Sequence, residues 1–509
     1  MLRSVASLVL SVVLAASCGS TPSPSPGSSA ETPSATPSAI TSAAPSATAV
    51  PTPLPTPTPP LPARESAWPL TVKTEREIAP VFGADGTAYL LTGGQDAQLI
   101  ALDRGGHMMP GWPIEEGPAV DFGAPAVGPD GSVYLEACAG PVVGCVLHRL
   151  DRNGRDRTGW PIAIPSDFAC SVDGRCIPNA VVLGPDGTTF VSHWRESGGL
   201  QVLAIDPAGR IKPGWPVAPA VGLYWRDLQV GSDGTLFAFS QFDADGTSAG
   251  IAAFRSDGSV RPGWPVHVPD ASGFTLGPQG SVVVWSYVDD VGELCLSPRR
   301  TVFTVLGPDG RTLSGWPRGS TGLASVPAID DDGTVYYVSA TYKVYAHDRA
   351  GEVRPGWPVA VPGARNACGP ERPHLAPDGT LFVVGDEIAV LSLGGHPLPG
   401  WPHRPTGSLV GPCFDSECYG GHRDLAFGPD GTAYFTVYHG DTGSVRAEVV
   451  AIDRKGQIKP GWPYRLPFDA NTVEVGLTTI SPDGRVIVRG GGFSPYVLIA
   501  LDSEGRLAR

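Results

Sequence analysis

Gly111-Trp112-Pro113 decides the fold, because this short phrase is copied along the whole chain. The same three residues surround Trp160, Trp215, Trp264, Trp316, Trp357, Trp401 and Trp462, and Ala67-Trp68-Pro69 is a ninth copy at the start. Successive tryptophans lie 44, 48, 55, 49, 52, 41, 44 and 61 residues apart. A period of this size indicates one supersecondary unit repeated along the chain.

Each repeat also contains a tight turn between two apolar runs, and Asp-Gly in that setting is a strong hairpin signal. A third run ends in Asp, as in Ala204-Ile205-Asp206, and a Gly-containing turn then leads to the Trp-Pro phrase. Four short antiparallel strands per repeat, without a helical period, predict the blades of a β-propeller. The hairpin turns stand at Asp85-Gly86, Asp130-Gly131, Asp186-Gly187, Asp233-Gly234, Gln279-Gly280, Asp332-Gly333, Asp378-Gly379, Asp430-Gly431 and Asp483-Gly484.

The tryptophans are expected to fill the wedge between adjacent blades, where a large flat side chain buries much apolar area. The following Pro is tolerated on the outer strand, whose free edge needs no further ladder hydrogen bonds. Residues 464–509 supply three strands without a Trp-Pro, and residues 66–70 supply a Trp-Pro without a preceding unit. We therefore predict an all-β ring closed by the N-terminal strand, with nine blades, or eight if one unit is incomplete.

Composition excludes several classes of protein. Charged residues make up only 17% of the 509 residues, which argues against a helical array, and the net charge is −14. That charge repels nucleic-acid phosphates and anionic lipid surfaces, so neither is an expected partner.

The first residues are typical of an export signal: Arg3 precedes an apolar run, Val5 to Ala16, that is too short to span a bilayer. The following Leu14-Ala15-Ala16-Ser17-Cys18 resembles the lipobox of bacterial lipoproteins. The lipobox has Leu three residues before the Cys, whereas here Ala15 holds that position and Leu14 stands one residue earlier. The resemblance implies a signal peptide over 1–17 and lipidation of Cys18, and ordinary secretion is the alternative. Residues 18–63 are then a Ser/Pro/Thr/Ala-rich disordered tether, and residues 64–509 are the propeller. The expected location is the cell surface or periplasm.

Ala204-Ile205-Asp206-Pro207-Ala208-Gly209, followed by Trp215, resembles the tryptophan-docking repeat of pyrroloquinoline-quinone-type propellers. The family includes quinone-dependent dehydrogenases and lipid-anchored scaffolds without a cofactor. The repeats depart from it at Arg255, Pro308 and Gly394, which replace the Asp. The Trp-Pro phrase is also similar to integrin-like calcium-binding propeller repeats, but only Asp330-Asp331-Asp332-Gly333 approaches their metal loop. No metal and no cofactor are expected.

Eight cysteines remain after Cys18, an even number that indicates disulfides in an exported chain. Three pairs are close in sequence, and the last two cysteines are candidates for a bridge across blades; the rival interpretation, a metal site, lacks zinc-type spacing. The pairs are Cys138/Cys145, Cys170/Cys176, Cys413/Cys418 and Cys295/Cys368.

Three blades carry polar residues before the innermost strand, where most blades have Ala-Pro or Val-Pro. These residues are expected to face one mouth of the channel, and acid–base pairs with His there are able to bind an anionic or sugar ligand or to act in catalysis. The alternative is that they line a water-filled channel and form ion pairs and hydrogen bonds with one another. The candidates are Trp225, Arg226 and Asp227 in blade four, Arg365, Asn366, Glu371, Arg372 and His374 in blade seven, and His422, Arg423 and Asp424 in blade eight.

The sequence therefore favours an extracytoplasmic, lipid-anchored binding or scaffold protein without catalytic residues. Its expected partner is an envelope protein or an extracellular glycan. The alternative is a propeller enzyme, either a quinone-dependent oxidoreductase or a lyase or hydrolase, that uses the polar cluster at the channel mouth.

Overall fold

The computed structural model describes residues 66–72, 80–92, 97–115, 120–139, 144–164, 168–169, 181–195, 199–218, 224–241, 249–288, 300–320, 322–362, 365–366, 369–409, 425–440, 445–469, 474–491 and 496–509. The signal, Cys18 and the tether predicted for residues 1–63 lie outside these ranges. No helix within them is long and apolar enough to cross a lipid bilayer.

The described residues form nine four-stranded antiparallel blades arranged in a ring, so the prediction of nine blades is confirmed. The described residues contain one 3₁₀ turn, Pro278–Gly280, and the following strands: β1 (Leu70–Val72), β2 (Val81–Phe82), β3 (Ala88–Thr92), β4 (Gln98–Leu102), β5 (Ile114–Glu115), β6 (Asp121–Phe122), β7 (Ala126–Val127), β8 (Val133–Cys138), β9 (Cys145–Leu150), β10 (Ile162–Ala163), β11 (Phe168–Ala169), β12 (Val182–Leu183), β13 (Thr189–Arg195), β14 (Gly199–Ile205), β15 (Tyr224–Val230), β16 (Leu236–Gln241), β17 (Ala249–Phe254), β18 (Val266–His267), β19 (Ala271–Leu276), β20 (Val282–Val288), β21 (Arg300–Leu306), β22 (Arg318–Gly319), β23 (Ala328–Ile329), β24 (Val335–Val338), β25 (Lys343–His347), β26 (Val359–Ala360), β27 (Arg365–Asn366), β28 (Gly369–Pro370), β29 (His374–Leu375), β30 (Leu381–Val384), β31 (Ile388–Leu391), β32 (Leu425–Phe427), β33 (Ala433–His439), β34 (Arg446–Ile452), β35 (Tyr464–Asp469), β36 (Glu474–Ile480), β37 (Val486–Gly491) and β38 (Tyr496–Leu501).

Within a blade, consecutive strands are hydrogen-bonded neighbours, as in the order β15-β16-β17-β18 of blade four. In blades three and seven the outer strand is reduced to single bridges, Val202 to Val217 and Ile388 to His403. The ninth blade closes the ring, because the N-terminal β1 pairs with the C-terminal β38, with Leu70 opposite Leu498. The prediction that the first strand completes the last blade is therefore confirmed.

The nine repeated tryptophans are all buried, with 4–8% of each residue exposed. Each indole Nε1–H donates to a backbone carbonyl in the next blade at 3.0–3.3 Å; Trp264 of blade four, for example, donates to Pro308 of blade five. In seven blades the indole also packs on an aromatic side chain of the second strand, as Trp264 does on Phe237. The indoles therefore join neighbouring blades, as the wedge interpretation predicts.

The glycine before each tryptophan is required by the close contact between neighbouring blades. Gly263 has φ +86°, and a Cβ added there would clash with the backbone oxygen of Asp309 in the next blade. Positive φ strongly favours glycine, and the close approach excludes any side chain. These two demands explain why the phrase is Gly-Trp-Pro in eight of the nine copies.

The turn after the third strand shows that two residues were wrongly aligned with the Asp of the repeat in the sequence analysis. The hydrogen bond from Asp206 N–H to the Arg210 carbonyl is repeated from Gly307 to Arg311 and from Ser392 to His396. Gly307 and Ser392, rather than Pro308 and Gly394, therefore occupy the Asp position, whereas Arg255 does depart from Asp as predicted. The sequence agrees with this register, because Asp206, Gly307 and Ser392 each stand nine residues before the tryptophan of their own repeat.

Candidate functional site

The ring has two ends that differ in construction. The first-to-second and third-to-fourth strand turns lie at one end, which we call the turn face; in blade four these are Asp233-Gly234 and Ser256–Gly258. The inner strands begin at the opposite end, which we call the loop face; in blade four this is Tyr224. Antiparallel strand order fixes this division for every blade.

On the turn face, the hairpin carboxylates are occupied by the protein itself. Asp233 Oδ1 accepts the Thr235 N–H at 3.0 Å, and its Oδ2 lies 3.3 Å from Arg261 Nη1. The same arrangement of a turn carboxylate, a hydroxyl residue and a cation recurs in other blades, as Asp130 with Arg149, Asp186 with Lys212 and Asp430 with Lys459. Burial alone would raise the pKa of Asp430, but hydrogen bonds from Lys459 and Thr432 outweigh it and lower the pKa to about 2. These carboxylates serve to hold turns and strands together.

The acidic loop that comes closest to a calcium loop is also engaged. Asp330 Oδ1 accepts the backbone N–H groups of Asp332 and Thr334, at 3.0 and 2.8 Å. Its Oδ2 accepts the Tyr336 hydroxyl at 2.9 Å. Both oxygens of the Asp330 carboxylate therefore accept hydrogen bonds from the turn and the strand that follows it.

The central channel contains a cavity of about 480 Å³ between the inner strands of blades five to eight. Its apolar lining includes Leu276, Ile329, Leu375 and Phe427, one from each of the four blades. A volume of this size is typical of sites for small organic ligands.

Two residues of the predicted polar cluster line this cavity, Arg372 and His374. Arg372 is exposed, and within the described part of the chain it forms no hydrogen bond or ion pair. Glu371 beside it is buried, at 7% exposure, and is not among the cavity-lining residues. The cavity therefore carries one cation and, among its described lining residues, no carboxylate.

His374 is partly buried and is neutral at physiological pH. Burial lowers its pKa to about 4, and the charge of Arg372 contributes in the same direction. A neutral imidazole is able to donate one hydrogen bond and accept another, but it adds no charge.

Blade four contributes Asp227, which is exposed on the inner strand β15. The Gln229 side-chain amide donates to Asp227 Oδ2 at 2.7 Å and to the Phe274 carbonyl of blade five at 3.1 Å. The strand pairing shifts register between Trp225 and Asp227, so Arg226 lies at a β-bulge. Bulges are frequent beside functional sites, where they redirect side chains.

The remaining cluster members are only partly within the described structure. Arg365 and Asn366 form β27, which pairs with β28 in a short hairpin just before Glu371. The side chains of Trp225, Arg226, Arg365 and Asn366, and the whole of His422, Arg423 and Asp424, lie outside the described residues. His422 to Asp424 directly precede β32, whose three residues line the cavity.

Sequence reasoning missed Gln229 and the apolar half of the cavity. The apolar residues stand at the last inner-strand positions before the hairpin turn, for example Leu375 two residues before Pro377. Their pattern is identical to that of ordinary core positions, and no signal in the sequence separates the two.

Of the predicted disulfides, Cys138–Cys145 is confirmed and joins the ends of β8 and β9. The other six cysteines, Cys170, Cys176, Cys295, Cys368, Cys413 and Cys418, lie outside the described residues. Among the described side chains, the group close enough together to hold a metal is Glu136 with these two bonded cysteines. Two disulfide-bonded sulfurs are poor ligands, because metals bind the thiolate.

No protein-family model and no curated protein sequence matches this chain. A solved structure of a eukaryotic initiation factor is 12% identical, with 83% of this chain and 94% of that chain covered and a TM-score of 0.51. A streptogramin B lyase is 15% identical (64% and 93% covered, TM-score 0.34), and BamB from Moraxella catarrhalis is 11% identical (85% and 98% covered, TM-score 0.34). The last two are β-propellers. At these identities the likeness concerns the fold alone.

Proposed function

We propose that this chain is an exported, lipid-anchored β-propeller that binds an envelope protein or an extracellular glycan at the loop-face mouth of its channel, without catalysis. The arrangement that supports a binding site in the channel is the placement of Arg372 and His374 on the cavity wall in blade seven, together with the exposed Asp227 on the inner strand of blade four. Rigid scaffolds commonly present such residues for recognition.

The observation that carries binding over catalysis is the protonation state of His374. A general acid or base works best with a pKa near the operating pH, and the pKa of His374 is about 4. Among the described residues that line the cavity, no carboxylate is available to act as its partner. The described part of the cavity is therefore suited to holding a ligand and unsuited to moving protons at neutral pH.

The mouth is tested by charge reversal in the full-length anchored protein. Arg226→Glu and Arg423→Glu should each reduce the yield of cross-linked envelope partners at least about tenfold, because a lost charged contact is worth about 1.5–3 kcal/mol. Arg311→Glu, on the turn face with 88% of its side chain exposed, is the matched control and should leave the yield unchanged. Equal capture by all three variants would refute the mouth as the binding surface.

The same purified protein separates binding from the enzymatic alternative. A bound quinone would give visible absorbance, whereas a binding propeller without cofactor is colourless. Visible absorbance that copurifies in stoichiometric amount would favour the oxidoreductase.

The anchor has its own test. Cys18→Ser should move the protein from the membrane fraction to the soluble fraction, because the lipid chain supplies the membrane affinity. Ser17→Ala is the neighbouring control and should stay membrane-bound. An unchanged distribution of the Cys18→Ser protein would support ordinary secretion.

A further inference from the structure

The channel cavity has a chemical character of its own, which predicts a small ligand in addition to the proposed envelope partner. Four blades contribute apolar side chains, namely Leu276, Ile329, Leu375 and Phe427. At about 480 Å³ the cavity lies within the range of roughly 300–1,000 Å³ of small-ligand sites. The apolar part of a ligand would be partly buried against these four side chains.

The charge of the cavity is unusual for this protein. The chain as a whole carries −14, and several cations on the turn face are paired with turn carboxylates, as Arg261 is with Asp233 at 3.3 Å and Lys459 with Asp430 at 2.9 Å. Arg372 has no such partner within the described chain, although it stands at the cavity wall. An arginine beside an apolar wall is suited to a bidentate contact with a planar anionic group.

The polar group beside Arg372 adds hydrogen-bonding capacity and no second charge. His374 lines the same cavity, is neutral, and forms no hydrogen bond to another described residue. Thr275, on the inner strand of blade five, supplies a hydroxyl on the cavity lining. The site thus offers one positive charge, a few neutral polar groups and an apolar wall.

We infer that the cavity between blades five and eight binds an amphipathic organic monoanion, with its anionic group on Arg372 and its apolar body against Leu276, Ile329, Leu375 and Phe427. A fatty acid and a small aromatic acid share this chemistry.

The experiment uses two fluorescent probes of similar shape on the full chain: 1-anilinonaphthalene-8-sulfonate, which is an anion, and N-phenyl-1-naphthylamine, which is uncharged. The anion should bind saturably at one site per chain. Arg372→Gln should weaken its binding at least about tenfold and change the binding of the uncharged probe less than twofold. Arg311→Gln, on the turn face, is the matched control and should change neither.

A second variant tests the cavity itself. Ala426→Trp, at a cavity-lining position, should fill the space and abolish the binding of both probes. Competition then distinguishes the two sources, because laurate displaces the probe if the cavity suits a lipid chain, and indole-3-acetate does so if it suits an aromatic acid. Failure of both competitors, absence of saturable anion binding, or equal effects of Arg372→Gln on the two probes would overturn the inference.

The outcomes also separate this inference from the proposed function. If probe binding depends on Arg372 while partner capture ignores Arg226 and Arg423, only the proposed mouth is wrong. If partner capture depends on the mouth while the anionic probe ignores Arg372, only the present inference is wrong.

Discussion

The turn face and the loop face are built from the same repeats, yet they have opposite properties. On the turn face nearly every blade repeats one set of contacts: a buried indole, a carbonyl of the next blade, and a turn carboxylate paired with a cation. On the loop-face side the inner strands differ between blades, and those of blades four, five and nine contain register shifts. The comparison teaches that the repeated polar contacts between blades lie at one end, which leaves the other end able to vary.

The largest expected effect concerns the indole. Trp264→Ala removes a side chain that is 6% exposed, its hydrogen bond to Pro308 and its contact with Phe237 at 5.5 Å. Chemical denaturation should show a loss of about 3–5 kcal/mol in the free energy of unfolding. Arg372→Gln, at the channel, should cost less than about 0.5 kcal/mol. A similar loss of unfolding free energy in both variants would contradict the distinction between the contacts of the turn face and the channel.

The next effect concerns ring closure. Arg485, only 5% exposed, pairs with Asp483 at 3.0 Å and donates to the carbonyls of Arg104, at 3.1 Å, and Gly86 in blade one. Arg485→Met should cost about 3 kcal/mol, because it leaves buried acceptors unsatisfied. Arg506→Met, whose side chain is 68% exposed in the same blade, should be nearly neutral in the same denaturation measurement. A neutral Arg485→Met would show that the ring closes without this arginine, through β1 pairing and the Trp68 contact.

A pair of glycines separates backbone strain from blade contact. Gly263 and Gly234 both have positive φ, +86° and +77°, but an added Cβ clashes with blade five only at Gly263 and meets no atom within 4 Å at Gly234. Gly234→Ala should cost about 1–2 kcal/mol from φ alone. Gly263→Ala should cost about 2 kcal/mol more in thermal or chemical denaturation, because the next blade must shift. Equal costs would mean that the blades are not in tight contact there.

The smallest effects are pH-dependent and occur in different ranges for the hairpin turns and for the channel cavity. Asp430 has a pKa lowered to about 2, so its stabilisation is present above its unfolded pKa near 4 and is lost as the pH falls from about 4 to 2. His374 has a pKa lowered to about 4, so stability falls as the pH drops from about 6.5 to 4, where the unfolded state binds the proton first.

Two variants check these ranges. Asp430→Asn should flatten the pH dependence of the unfolding free energy only below pH 4, and His374→Gln should flatten it only between about pH 6.5 and 4. Denaturant titrations across this pH range measure both. An Asp430→Asn effect centred near pH 6 would contradict the assignment.

Much of the ring was predictable because its residues act locally or periodically. The spacing of the tryptophans, the Asp-Gly turns and the split Trp-Pro strand predicted nine blades and the closure by β1. Arg372 and His374 were predicted at the channel because their position before an inner strand fixes where the backbone carries them. The quinone-type family and the lipid anchor stay predictions.

The cavity was not predictable, because its members come from four blades and each appears in the sequence as an ordinary apolar strand residue. Gln229 was missed for the same reason, since its contact with the Phe274 carbonyl joins two blades. The register of the third-strand turn in blades five and seven was misassigned, although a constant spacing of nine residues to the tryptophan would have identified it; the hydrogen bonds of the turn correct it.

The sequence by itself determined the repeat, the number of blades and the point of closure, because strand period, turn chemistry and glycine conformation are properties of a few neighbouring residues. Tertiary structure decided which side chains share the channel, that Arg372 stays without a described partner, and that the pKa of His374 falls to about 4. Those outcomes depend on burial and on charges brought together from distant blades, and no short stretch of sequence contains that information.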